Sequence, residues 1–368
     1  MSAAAQAWLQ RIRDLPLPPK IRVMNVCGGH ERSISMAGLR GALPPQIELI
    51  PGPGCPVCVC PEEDVYTAIQ LALRKDVTLV AFGDMLRVPA NVPKNEPRSL
   101  EQARAAGGRV VPIASPLEAA RIATENPMQQ IVFFAAGFET TSAPVAALVA
   151  QGLPENLSIL LSARRTWPAV SMLLESEDAG FDALIAPGHV SAVMGPEEWR
   201  FVCDKHGIPA AVAGFEPDSL LAATYAVLRQ KLEGRAALEN CYGNVVHRGG
   251  NPTAQRLLAE SFDVVDANWR GIGAIPQSGY ALAARYAASD ALNRFHIDMR
   301  ENRKRAGAMP PGCDCARVVL GKIYPNQCRL YGTACTPRKP VGPCMVSDEG
   351  ACRIWWSSGV RSTEPETV

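Results

Sequence analysis

Ten residues, Gly52 to Pro61 (GPGCPVCVCP), constrain this chain more than any other stretch. Three cysteines fall within six positions, separated only by proline and valine. Upstream, Ile47-Glu48-Leu49-Ile50 is a short apolar run that fits a buried strand. Downstream, Pro61 precedes Glu62, Glu63 and Asp64, and proline with acids in a first turn marks a helix start. The cysteines are therefore expected on a turn that feeds a helix N-terminus, where unpaired amides favour thiolate over thiol. Cys55-Pro56-Val57-Cys58 has the spacing of a redox dithiol. The same spacing also fits half of a zinc site or a pair of small buried hydrophobes, and the stretch alone leaves all three open.

Bulk properties narrow the class. At 368 residues the chain has material for two or three domains. A formal net charge of +1 gives no field for nucleic acid or a membrane surface. No run of 18 apolar residues is present, so no membrane span is expected, and the charged N-terminus does not read as a signal peptide. Twelve cysteines without a secretory signal point to a cytoplasmic protein that binds metal or does thiol chemistry.

To about residue 215 the chain repeats one unit: an apolar run, a small polar motif, then a helical stretch. The runs are 22–26, 47–50, 77–82, 109–113, 130–135, 157–162, 183–186 and 210–213. Continuous apolarity suits strands of parallel sheets buried on both faces. Polar motifs follow the runs: Cys27-Gly28-Gly29-His30-Glu31, the cysteine turn, Gly83-Asp84-Met85, AGFETT (136–141), PGHVS (187–191) and GFEP (214–217). Ligands of open parallel sheets bind beyond the carboxyl ends of the strands, so these motifs are expected to share one cleft.

The expected fold is α/β: two similar parallel-sheet lobes around that cleft, plus a small C-terminal iron–sulfur domain. The division is placed at residues 1–125 for the first lobe, 126–235 for the second, and 236–368 for a helical connection and the cysteine-rich unit. Within the connection, 220–232, 253–262 and 280–292 read as helices. The third unit spans 309–356 and holds Cys313, Cys315, Cys328, Cys335, Cys344 and Cys352 among prolines and glycines. So loop-rich a segment needs a staple. Scattered thiolates fit an iron–sulfur cluster better than zinc, although spacing does not select four ligands from six.

The CGGHE turn sets a thiol, an imidazole and a carboxylate side by side, which suits a transition metal or nucleophilic catalysis. His189, Glu139 and Asp84 each fit a hydrogen-bonding role as well as a functional one. Cys203 and Cys241 read as structural. No phosphate-binding glycine loop lies between a strand and a helix.

Taken together, CGGHE, GPGCPVC, FGDMLRVP (82–89), GFETT, PGHVS and CTPRKPVGPCMVSDEGAC (335–352) resemble the HypD family of hydrogenase maturation factors, from about residue 20 to 356. The resemblance implies a cytoplasmic scaffold that helps assemble the Fe(CN)2CO unit of nickel–iron hydrogenases, and so serves the hydrogenase large subunit indirectly. It implies a HypC-type small chaperone and a HypE-type cyanide donor as partners. Cys27 matches the cysteine that holds the iron, with His30 and Glu31 its important neighbours. Cys55 and Cys58 match a redox-active pair. Cys328, Cys335, Cys344 and Cys352 match the ligands of a [4Fe–4S] cluster. The competing class is a free-standing iron–sulfur thiol–disulfide oxidoreductase acting on a diffusible substrate; a third is a structural metal-binding module.

Overall fold

All eight apolar runs form strands in the computed structural model, which describes residues 2–176 and 179–361. They are β1 (Ile21–Asn25), β2 (Ile47–Pro51), β3 (Val77–Phe82), β4 (Val110–Ile113), β5 (Gln130–Gly137), β6 (Leu157–Ala163), β7 (Ala183–Pro187) and β8 (Ala210–Ala213). A ninth, β9 (Leu238–Asn240), joins them. They build two all-parallel sheets, ordered β2-β1-β7-β8-β9 and β4-β3-β5-β6. Strands β5, β7 and β8 are buried almost throughout, as their unbroken apolarity requires.

The lobes do not divide at residue 125. Strands β3 and β4, placed in the first lobe by sequence, share a sheet with β5 and β6; the register runs Val77↔Gln130 to Ala81↔Phe134. The first sheet takes β1 and β2 from the start of the chain and β7 to β9 from beyond residue 182. The Glu125-Asn126-Pro127 turn is a crossover within one sheet, where a preceding helix (Pro116–Glu125) returns to β5.

The helices that frame the site follow the strands. They are α1 (Ala3–Arg13), α2 (Gly28–Met36), α3 (Pro56–Val59), α4 (Glu62–Ala72), α5 (Glu139–Gln151), α6 (Thr166–Leu174), α7 (Gly188–Met194) and α8 (Pro217–Leu232). Those after β9 are α9 (Pro252–Ser261), α10 (Met299–Ala306) and α11 (Ala351–Ser357).

The helical reading of 280–292 holds only at its end. Strands β10 (Phe262–Trp269) and β11 (Gly273–Leu282) form an antiparallel hairpin, with Tyr280 opposite Val264 and Leu282 opposite Phe262. Alanine-rich sequence favours helix locally, but cross-strand packing overrides it. Trp269, fully buried, donates its indole N–H to Ser278 Oγ at 2.9 Å and locks the hairpin.

The three acids after the cysteine turn clamp the molecule. Glu62 pairs with Arg270, both buried; Glu63 accepts from Arg303 of α10 at 2.8 Å; Asp64 accepts from Arg164 at 3.2 Å and Ser162 at 2.5 Å. Burial raises the pKa of Glu62 and Asp64, while Arg270 and Arg164 pull the other way. The acids therefore tie α4 to β6, the hairpin and α10 as well as lying at a helix start.

Candidate functional site

The carboxyl ends of both sheets open onto one cavity of about 250 Å3. The first sheet contributes Val26, Cys27, Pro187, His189 and Phe215; the second contributes Phe82, Asp84, Ala136 and Phe138, with Thr166 just beyond β6. Gly54, Pro56 and Val57 of the cysteine turn complete the floor, and Glu349 reaches in from the C-terminal unit. The shared cleft expected from the strand-end motifs is therefore present.

Cys27 is the N-cap of α2. The backbone amides of His30 and Gly29 favour its thiolate, yet burial, and then the neighbouring Glu349 carboxyl, push the thiol up to about 12. Glu349 itself is pushed up to about 7, by burial and then by Asp84. The glycines make this approach possible. A Cβ on Gly28 would stand 2.4 Å from Glu349 Cβ, and one on Gly54 would stand 2.3 Å from the Cys27 nitrogen.

His30 is fully buried on α2, and its Nε2–H donates to the Ala213 carbonyl at 3.1 Å. That bond leaves Nδ1 as the lone-pair nitrogen, with no partner among the described residues. Burial lowers the pKa of His30 to about 4, so it is neutral at pH 7. Phe215 lies between His30, 5.1 Å away, and His189, 4.2 Å away. Glu31 plays a different part from the one its motif suggests. Its carboxylate accepts from Asn25 at 3.1 Å, Arg40 at 2.7 Å and the Trp355 indole at 2.8 Å, tying α2 to α11.

Cys55 and Cys58 are joined in a disulfide, with an S–S distance of 2.05 Å. Cys55 caps the one-turn helix α3, and the Cys58 amide donates to its sulfur at 3.2 Å. The nearest helical amide thus comes from α3, not from the helix expected at Pro61. Cys60 lies apart, against Ser162 Oγ at 3.3 Å, and burial with the Asp64 charge pushes it up to about 12. After mild oxidation and blocking of free thiols, mass spectrometry is expected to find a Cys55–Cys58 bridge, with Cys60 unmodified until the chain is denatured. A bridge that includes Cys60 would refute this assignment.

A narrow void of about 10 Å3 is bordered by Cys27, Cys55, Cys58, Cys344 and Glu349. It brings the cleft thiol, the disulfide and the C-terminal cysteines together. Cys328, Cys335, Cys344 and Cys352 are all buried. Cys313 and Cys315 join them: their sulfurs lie 3.4 Å apart, and Cys315 also bonds Cys344 and Cys352. These bonds hold Cys344 well below the usual thiol range and push Cys352 up. Amides of Val341 and Cys352 donate to the sulfurs of Cys335 and Cys344. A Cβ on Gly342 would stand 2.4 Å from Cys315 Sγ and 2.6 Å from Cys313 Sγ, so only glycine leaves the sulfurs room. The sulfurs pack on one another here, and among the described residues no group of His, Cys, Asp and Glu side chains stands at metal-ligand geometry.

Sequence reasoning missed Glu349, Thr166 and Trp355, whereas Phe215 lies in the GFEP motif that it placed at the cleft. Glu349 lies in the acidic SDEG stretch and Trp355 in an apolar one; neither has a spacing that signals the cleft.

A cleft at the strand ends of two parallel sheets, with a thiol on its wall and a disulfide beneath it, defines a thiol-bearing α/β protein. The chain belongs to the HypD family: the family profile described as "Hydrogenase formation hypA family" matches residues 3–359. It is 40% identical over 348 residues to hydrogenase maturation factor HypD2 of Bradyrhizobium diazoefficiens, covering 92% of this chain and 89% of that one. It is 39% identical over 349 residues to HypD of Rhodobacter capsulatus (94% and 91%), and 38% over 348 residues to HypD of Escherichia coli K12 (94% and 91%). No helix among the described residues is long and apolar enough to cross a membrane.

Proposed function

We propose that this chain is a cytoplasmic scaffold on which the iron unit of nickel–iron hydrogenases receives its cyanide and carbonyl ligands. The observation that carries the reading is that Cys27, the Cys55–Cys58 disulfide and Cys344 border one void beneath the cleft. Cys27 holds the iron that is the substrate, and a soft thiolate suits iron that carries strong-field ligands. A HypC-type small chaperone shares that iron at the cleft mouth, a HypE-type protein delivers cyanide, and the hydrogenase large subunit is served indirectly. A cavity of about 250 Å3 suits a few diatomic ligands rather than a large organic substrate.

The disulfide accepts two electrons and two protons to become a dithiol, storing reducing equivalents in pairs. Cys328, Cys335, Cys344 and Cys352 would hold a [4Fe–4S] cluster; the all-thiol donor set, the amides aimed at Cys335 and Cys344 and the glycine at 342 favour this. Such a cluster supplies electrons singly. Cys313 and Cys315 stand among the same sulfurs, and substitution decides between ligand sets.

The test is anaerobic co-purification with the small chaperone, followed by infrared spectroscopy. Cyanide and carbonyl stretching bands with extra iron are expected. A complex that forms without bands or extra iron, while the chain turns over a diffusible disulfide, would overturn the scaffold reading. The protein is also expected to be brown, with about four irons and four sulfides. Cys328→Ala or Cys335→Ala should bleach it; full clusters in both variants would transfer the ligand role to Cys313 and Cys315.

A further inference from the structure

The C-terminal unit differs in charge from the rest of the chain. Between residues 309 and 361 stand seven Lys and Arg against three Asp and Glu, an excess of four in a chain whose net charge is +1. Part of that excess gathers around one loop. The Cys335 amide donates to the Leu330 carbonyl at 2.8 Å, and Thr336 and Lys339 bond each other through both backbone groups, at 3.2 and 3.0 Å. These bonds fold residues 329–339 into two tight turns around Cys335. Arg87 pins the second turn by donating to the Pro337 carbonyl at 2.7 Å. Arg329, Arg338 and Lys339 are exposed on the turns and have no ion pair among the described residues. Two acids belong to the flanking elements, and each is already matched: Asp314 by Arg317 at 3.6 Å, Glu101 by Arg87 at 3.8 Å. The sulfurs beneath have an outer and an inner side. Cys328 and Cys335 keep 6% and 7% of their surface exposed, whereas Cys344 keeps none and borders the void shared with Cys55 and Cys58.

We propose that Arg329, Arg338 and Lys339 form the docking site of an acidic one-electron carrier protein, which passes electrons through the C-terminal cysteine group to the Cys55–Cys58 disulfide. The inference rests on the [4Fe–4S] reading of those cysteines and adds the partner that feeds them. Charge selects that partner, because three unmatched cations attract an acidic surface and steer its approach. A nucleic acid would need a wider basic face than three side chains on one loop. Arg329 follows Cys328 directly, and Arg338 and Lys339 stand three and four residues after Cys335. A protein seated on them therefore approaches the outer sulfurs, while the disulfide waits on the inner side. A cluster passes electrons singly, so two dockings serve each disulfide. Two reduced carriers are oxidised, the S–S bond takes their two electrons and two protons from solvent, and two thiols form.

Flavodoxin, an acidic flavoprotein that gives up one electron from its hydroquinone, serves as the probe. Oxidised flavodoxin, which delivers no electron, should bind the chain as isolated with an affinity that falls as salt rises. Flavodoxin hydroquinone should become semiquinone on mixing, and Cys55 and Cys58 should become open to thiol labelling. Arg329→Glu/Arg338→Glu/Lys339→Glu should weaken binding and slow transfer about tenfold or more at low ionic strength, the lower end of electrostatic steering. The gap should close near 1 M salt, where the screening length is about 3 Å. Dithionite, a small reductant that needs no docking, should reduce the variant as fast as the wild type. Arg11→Glu/Arg248→Glu/Arg300→Glu makes the same change in charge away from the loop and should leave binding and transfer near wild-type values. Salt-independent binding, equal losses in the two triple variants, or tighter binding of a short RNA than of flavodoxin would overturn the docking site. A colourless chain would overturn the cluster and the route with it, so colour tells the two failures apart.

Discussion

Arg270→Ala should destabilise the protein by about 3–5 kcal/mol, the usual cost of removing one partner from a buried ion pair. Arg270 and Glu62 are both shielded from water, with side-chain exposures of 0% and 1%. The guanidinium also bonds the Pro89 carbonyl, so its loss orphans an acceptor as well as a charge. The Asn91 amide, 2.7 Å from Glu62, would be the carboxylate's remaining donor. Chemical denaturation measures the loss, and a deficit below about 1 kcal/mol would show that the site relaxes or admits water. The pH dependence has a definite sign. Burial raises the folded pKa of Glu62 above its unfolded value, and the variant lacks the opposing arginine. The variant's folded pKa therefore lies above the wild type's, so its deficit is smallest in acid and grows as pH rises from the wild type's folded pKa to the variant's. Adding Glu62→Gln should recover part of the loss and flatten this dependence.

The second large effect falls on function and spares the fold. Cys27→Ala should abolish hydrogenase maturation while costing only about 1 kcal/mol of stability, the ordinary scale of a point substitution. The sulfur makes no capping hydrogen bond to α2, and His30 and Glu31 hold that helix by their own bonds to Ala213, Arg40 and Trp355. The variant should keep its Cys55–Cys58 bridge and brown colour, and lose the additional iron with its cyanide and carbonyl bands. Cys27→Ser isolates the role of the thiolate, since the hydroxyl is of similar size but is a poor soft-metal ligand. Normal infrared bands from either variant would remove Cys27 from the iron site.

What the sequence made legible follows the range of each signal. The strands are read from short runs such as VTLVAF and AAVA, because burial on both faces writes itself into consecutive residues. The cleft is read from polar motifs at the ends of those runs. Strand order is not local: nothing in Val23 or Ala183 announces that they pair, so the crossing of the chain between sheets stayed hidden. The hairpin was hidden for a related reason, since Ala281 and Leu282 look helical until Asp263 and Phe262 stand opposite. At the site, Cys27, His30 and the cysteine pair carried recognisable chemistry. Glu349 did not, because a carboxyl in an acidic loop reads as solvated until Gly28 is seen pressed against it.

The interleaved sheets also determine how the cleft can move. The chain passes from the first sheet to the second after β2, returns before β7, and leaves the first sheet again between β9 and β10 for the separate hairpin. The C-terminal unit then fastens to both sides: Trp355 to Glu31 and Gly321 to Arg22 on one, Arg303 to Glu63 on the other. Hinge closure is absorbed at the segments that join two lobes, so the crossings and the strap must flex together if these lobes are to part. Any opening of the cavity therefore has to be shared among several joints.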